Sequence, residues 1–131
     1  MSDLNETFFT SIGCMDGRVQ EAIAKYGQKR YQALYPDTIT EAGLVGLLTN
    51  NPSLELLEGI KKKVLISVEK HHSKGIVVHG HRDCAGNPVE DNLHKENVLA
   101  GAKIICSIVQ GLEVKPVFVV KENNKWLVKN L

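Results

Sequence analysis

Gly75-Ile76-Val77-Val78-His79-Gly80-His81-Arg82-Asp83-Cys84 decides the fold class of this 131-residue chain. Ser73-Lys74-Gly75 has the character of a helix stop, and the three residues after it are apolar without alternation. A strand with no polar side is buried on both faces, as in a parallel sheet covered by helices. Its continuation, with two imidazoles and a thiol, then falls in the loop at the strand's C-terminal end. Open α/β sheets bind their ligands at that end, where neighbouring connections leave to opposite faces.

A second stretch has the same build. Residues 7–14 read as a first strand, apolar at Phe8, Phe9 and Ile12, and run into Cys14-Met15-Asp16-Gly17-Arg18. If the two strands are neighbours, Cys14 meets His81 and Cys84 despite the separation in sequence.

The rest of the pattern supplies a scaffold. Residues 19–26 predict a short helix stopped by Gly27, and residues 30–35 a second strand ended by Pro36-Asp37. Residues 38–43 read as a loop, and Ala42-Gly43-Leu44 opens another short helix. Leu54, Leu57, Ile60, Val64 and Val68 recur at helical spacing, predicting an amphipathic helix over 54–72. Val98, Leu99, Ala102, Ile105 and Val109 mark a further helix stopped by Gly111. Residues 116–120 form an apolar strand, and Asn123-Asn124 turns the chain into a last strand over 126–128. Strands alternating with helices predict the α/β class: a mainly parallel sheet with helices on both faces and an antiparallel edge strand from the final hairpin.

Length and composition bound the function. A chain of 131 residues is expected to form one domain, residues 1–131. With 43% hydrophobic and 24% charged residues and a net charge of +1, nothing points to nucleic acid or an anionic membrane as partner. No stretch has the length of a membrane span, and the polar start is no signal peptide, which predicts a cytoplasmic protein. Three cysteines in a reducing compartment argue against a disulfide framework and for metal binding or a core role.

The two loops carry the chemistry of a zinc site. Zinc takes sulfur and nitrogen ligands in tetrahedral geometry, and a catalytic site keeps one position open. His81 and Cys84 can close on one ion from a tight loop, with Cys14 as the third ligand and a water, a hydroxide or Asp16 as the fourth. Two thiolates cancel the charge of the ion, so a bound water is less acidic than in a three-histidine site, and activity is expected to favour mildly alkaline pH. Asp16 paired with Arg18 stays ionised with fixed geometry. It can then accept a hydrogen bond from a zinc-bound hydroxide or, released from Arg18, ligate the metal and close the site.

Cys-x-Asp-x-Arg after the first strand and His-x-x-Cys after the third resemble the β-class carbonic anhydrases. The resemblance extends through Glu41-Ala42-Gly43, residues 76–80 and the closing hairpin. It implies zinc-dependent reversible hydration of carbon dioxide to bicarbonate, with Cys14, His81 and Cys84 as ligands and Asp16 and Arg18 as the catalytic dyad. It also implies four parallel strands in the order 2-1-3-4 with an antiparallel fifth, and a homodimer or higher homo-oligomer acting on a small molecule. Thr40-Glu41 and Ala85-Gly86 depart from the family's common pattern. Two alternatives stay open: a non-catalytic zinc-binding relative with a closed site, and a hydrolase of carbon disulfide or carbonyl sulfide.

Other polar residues receive ordinary roles. Cys106 is expected in the core on an apolar helix face. His79 is expected to point away from His81, and His71 and His72 to cap a helix dipole. His94 lies near the site without a proton-relay role, and Arg82 and Asp83 are expected to be loop hydrogen-bonders with no catalytic part.

Overall fold

The computed structural model describes residues 5–131. Five strands form one sheet: β1 (Phe8–Cys14), β2 (Tyr35–Glu41), β3 (Ile76–His81), β4 (Val114–Glu122) and β5 (Lys125–Asn130). Their order is β2-β1-β3-β4-β5, parallel except for the β4–β5 hairpin. The topology matches the expectation, including the placement of β1 beside β3. The helices are α1 (Gly17–Tyr31), α2 (Leu44–Thr49), α3 (Leu54–Leu65) and α4 (Asp91–Cys106).

The two-residue repeat of the strands sorts the core into two layers. Ile12, Ile76, Val78 and Phe118 pack with Leu44, Leu48, Ile60, Val64, Val98 and Ile105 of α2, α3 and α4. Phe9, Val77, Val117 and Val119 pack on the other face with Val19 and Ile23 of α1, joined by Trp126 and Val128 of β5. Three helices therefore cover one face, while α1 covers the other.

Several boundaries differ from expectation. Gly27 does not end the first helix; it lies inside α1, because a Cβ there would collide with the Phe9 ring. The glycine lets α1 approach the sheet, and this packing outweighs its weak helix propensity. The helix continues through Arg30 and Tyr31, which bond Glu113, and is terminated by left-handed Gln32. The second strand therefore starts at Tyr35 and includes residues expected in a loop, with Thr38 to Glu41 paired to Ser11 to Cys14. Pro36 does not prevent this, since β2 is an edge strand with one ladder to satisfy.

The long helix expected over 54–72 is α3 followed by a π-helical turn, Ile66–Lys70. Ser67 in that turn is buried and bonds Thr10 and Asp37, so the widened backbone delivers a hydroxyl to the interior. Cys106 is exposed, contrary to its expected core role. The buried residues of α4 are His94, Val98, Gly101, Ala102 and Ile105, and Cys106 follows one position later, turned about 100° off that stripe.

Candidate metal centre

Cys14 ends β1 and His81 ends β3, while Cys84 lies three residues further along a loop that doubles back. All three are buried, and their ligand atoms lie within 4.8 Å of one another. The sulfurs of Cys14 and Cys84 are 3.7 Å apart. A disulfide would need about 2.05 Å, whereas two thiolates on one tetrahedral zinc, each about 2.3 Å from it, sit about 3.8 Å apart. The spacing fits a shared ion.

The histidine is oriented for the same purpose. Its Nδ1 lies 2.8 Å from the Arg82 carbonyl oxygen. A carbonyl cannot donate, so the proton is on Nδ1 and the Nε2 lone pair is free. That Nε2 is fully buried and has no hydrogen-bond partner, a costly arrangement unless a ligand completes it.

The thiols are tuned in opposite senses. Burial raises the Cys14 thiol, but the neighbouring His81 and the backbone N–H groups of Gly43 and Asp16 outweigh it, bringing it down to about 7. The Gly43 N–H donates to Cys14 Sγ at 3.4 Å. Gly43 has φ +63°, and its Cα side faces the Gly86 backbone, so a side chain there is excluded twice over. Burial and then the adjacent Cys14 push the Cys84 thiol up. Burial lowers His81, yet Cys14, the Arg82 carbonyl and Asp16 leave it raised overall.

Asp16 is the N-cap of α1, accepting the Arg18 N–H at 2.9 Å. The Arg18 guanidinium returns to the same carboxylate, with Nη2 2.7 Å from Oδ2 and Nε 3.1 Å from Oδ1. Arg18 thereby pulls Asp16 down to about 2, and the group is ionised at neutral pH. Its Oδ2 is 3.8 Å from His81 Nε2, so the carboxylate borders the site while held by Arg18.

Sequence reasoning located these five side chains, and the fold brings them together. It gave no site role to Gly43 or Trp126, which contact the site from β2's exit and from β5. It also misplaced His79. Residues two apart in a strand share a face, and His79 and His81 pair with Val117 and Val119, both on the α1 side. His79 is fully buried without a partner, and burial holds it at about 3. His94 is buried too, held at about 4, with its ring 6.3 Å from that of His81. Arg82 and Asp83 are hydrogen-bonders, as expected, and both reach out of their loop, to Asp91 of α4 and to Arg18 of α1. His71 is the C-cap of the π-helical turn, as expected at a helix end, and its ring also pairs with Asp37.

Among the described residues, no helix is long and apolar enough to cross a membrane. A family model described as "Putative carbonic anhydrase" matches residues 4–131. No curated protein matches the chain. Among solved structures, the chain is similar to the crystal structure of carbonic anhydrase from Streptococcus mutans. The two share 18% identity with a TM-score of 0.57, over 99% of this chain and 86% of that one. At that identity the likeness speaks for the fold alone.

Proposed function

The chain belongs to the carbonic anhydrase family whose model spans residues 4–131, and on that premise we propose that it catalyses zinc-dependent reversible hydration of carbon dioxide to bicarbonate. The observation that carries the proposal is the division of labour between the ligand set and Asp16. Cys14, His81 and Cys84 converge at zinc-compatible spacing, while the nearby carboxylate is occupied by Arg18. Three protein ligands leave a fourth position for solvent or substrate.

Zn²⁺ held there lowers the pKa of a coordinated water and supplies a nucleophile near neutral pH, less strongly than with neutral ligands because two thiolates offset its charge. Everything else is contributed by the chain's own side chains and backbone. Ionised Asp16 is acceptor-only, and Arg18 fixes which way its oxygens point. From beside His81 it can take a hydrogen bond from the attacking group and so turn that group's lone pair toward carbon. Arg82's carbonyl holds the His81 ring, and Gly43's N–H supports the Cys14 thiolate. The intact Asp16–Arg18 contact supports this open arrangement over a closed, non-catalytic site, which requires Asp16 to leave Arg18. A homodimer or higher assembly belongs to the same proposal, in keeping with exposed apolar side chains at Met15, Leu34 and Leu54.

The test is stopped-flow carbon dioxide hydration by the zinc-loaded protein from neutral to mildly alkaline pH. We expect a rate well above buffer that rises with pH. Asp16→Asn should keep one zinc per chain and lose about 100-fold or more in kcat. No rate at any pH with zinc bound would overturn the carbon dioxide assignment, leaving the closed-site and thio-carbon alternatives. Undiminished turnover in Asp16→Asn would reduce the dyad to a loop fastener.

A further inference from the structure

Trp126 is the single tryptophan of the chain, and it lies on β5, remote in sequence from every other site residue. Its register opposite Lys121 and its membership of the α1-side core bring it under the site. The Arg18 guanidinium sits 5.0 Å from the indole ring centroid. The His81 ring meets the same indole edge-on, with centroids 6.2 Å apart and planes at 80°. One side chain thus touches both the arginine of the dyad and a metal ligand.

Arg18 needs such support. It is 46% exposed and borders a groove of about 460 Å³ shared with Lys25, Lys125 and Trp126. An exposed ion pair alone contributes little and does not immobilise a long side chain. Arg18 has two further attachments besides Asp16. One is the loop between the metal ligands, where it reaches the Asp83 carboxylate at 3.2 Å and the Asp83 carbonyl at 3.0 Å. The Asp83 side chain is itself 80% exposed, so its carboxylate bond to Arg18 competes with water. The other is the indole face, which is packed against the α1-side core. Stacking on it also takes the guanidinium partly out of water, which strengthens its bonds to Asp16.

We propose that Trp126 is a positioning residue: its indole face pins Arg18, and so keeps the Asp16 carboxylate turned to Arg18 and away from the metal position. The antiparallel hairpin thereby acquires a role at a site otherwise built from loops after parallel strands. The catalytic consequence rests on the carbon dioxide hydration proposed above; the immobilisation of Arg18 does not.

The experiment follows the Arg18 Nε–H by ¹H–¹⁵N spectroscopy in the full zinc-loaded chain, alongside kinetics. Trp126→Leu should speed exchange of that proton about tenfold or more, while Trp126→Phe, which keeps a ring face, should recover most of the protection. In parallel, Trp126→Leu should lower kcat about ten- to a hundredfold with KM little changed, and Trp126→Phe should restore most of it. Arg18 equally protected in folded Trp126→Leu would overturn the proposal. If Trp126→Leu does not fold, Arg18→Leu read through the lone tryptophan decides: an altered emission spectrum is expected, and an unaltered one overturns the contact. Absence of turnover in the native protein would sink the carbon dioxide reading and leave the exchange result standing on its own.

Discussion

Two buried polar clusters sit at opposite ends of β1, and they are built on opposite principles. Around Thr10, hydroxyls and a carboxylate satisfy one another. Thr10 Oγ1 lies 2.7 Å from both Ser67 Oγ and Ser73 Oγ, Ser67 donates to Asp37 at 2.7 Å, and Ser73 to the Gly75 carbonyl at 2.9 Å. Three hydroxyl protons serve these four contacts, so one contact is without a proton at any instant, yet no oxygen lacks a neighbour. Asp37 also takes His71 Nδ1 at 2.7 Å. Around Cys14, four residues further on and about 13 Å away along the strand, polar atoms converge with one of them left over. The two sulfurs face each other at 3.7 Å and the buried His81 Nε2 has no partner. Buried polarity that closes on itself holds the β2 edge and the π-helical turn to the sheet. Buried polarity that converges and stays short of partners has the build of a candidate ligand site.

The sharpest way to break this contrast is at the metal end. Cys84→Ser replaces a thiolate by a hydroxyl that stays protonated and leaves Cys14 and His81 as a two-ligand remnant. Zinc affinity should fall by on the order of a thousandfold or more, and the thermal stabilisation conferred by zinc should disappear with it. Metal content by atomic absorption, paired with melting in the presence and absence of zinc, measures both. One zinc per chain surviving in Cys84→Ser would remove that residue from the ligand set and dissolve the distinction between the clusters.

The next effect is the dependence of zinc affinity on pH. The ion takes thiolates and a neutral imidazole, so any proton held by the free site must leave on binding. Cys84 is raised above its ordinary range and carries a proton at neutral and mildly alkaline pH, whereas Cys14 loses its own near 7. Affinity should therefore rise with pH throughout, about tenfold per unit above pH 7 where one proton is displaced. Below pH 7 Cys14 contributes a second proton and the slope steepens toward about a hundredfold per unit, with raised His81 adding to it. Competition against a chelator between pH 6 and 9 gives the slope. A flat profile would mean that the thiols are not the ligands.

These contrasts also show which parts of the molecule were legible in the sequence. The metal end was legible because strand ends are punctuated: an apolar run stops, and Cys14 or His81 with Cys84 follows at a spacing that has few structural uses. The Asp16–Arg18 pair was legible for the same reason, being local. Trp126 was not, because a ring under a guanidinium leaves no spacing signature across more than a hundred residues. The Thr10 cluster was equally hidden. Its hydroxyls are scattered through residues 10–73, and the π-helical turn that delivers Ser67 looks like ordinary helix in the apolar pattern. β2 was displaced because Pro36-Asp37 has the composition of a turn, and only pairing along an edge strand makes it otherwise. Cys106 and His79 were errors of geometry that the sequence already contained. One follows the α4 stripe by a single residue, and the other shares the parity of His81.

The smallest expected effect lies at the satisfied end. Thr10→Val keeps the shape and removes one hydroxyl from the network. Ser67 retains Asp37 and Ser73 retains Gly75, so neither is orphaned. The cost should be about 1 kcal/mol, the net worth of an ordinary buried hydrogen bond, read as a lower urea midpoint at unchanged slope. Zinc affinity should stay within about twofold, since well-separated sites without shared partners act independently. Thr10 and Cys14 nonetheless lie on the same strand, and Ser11 and Ile12 between them are paired on both sides, to β2 and β3. That double pairing is the physical reason for expecting independence: a strand clamped by two ladders does not transmit the loss of one hydroxyl as a shift of its end. A clear loss of zinc affinity in Thr10→Val would mean that β1 moves as a unit, and that the network positions Cys14 as well as holding the sheet edge.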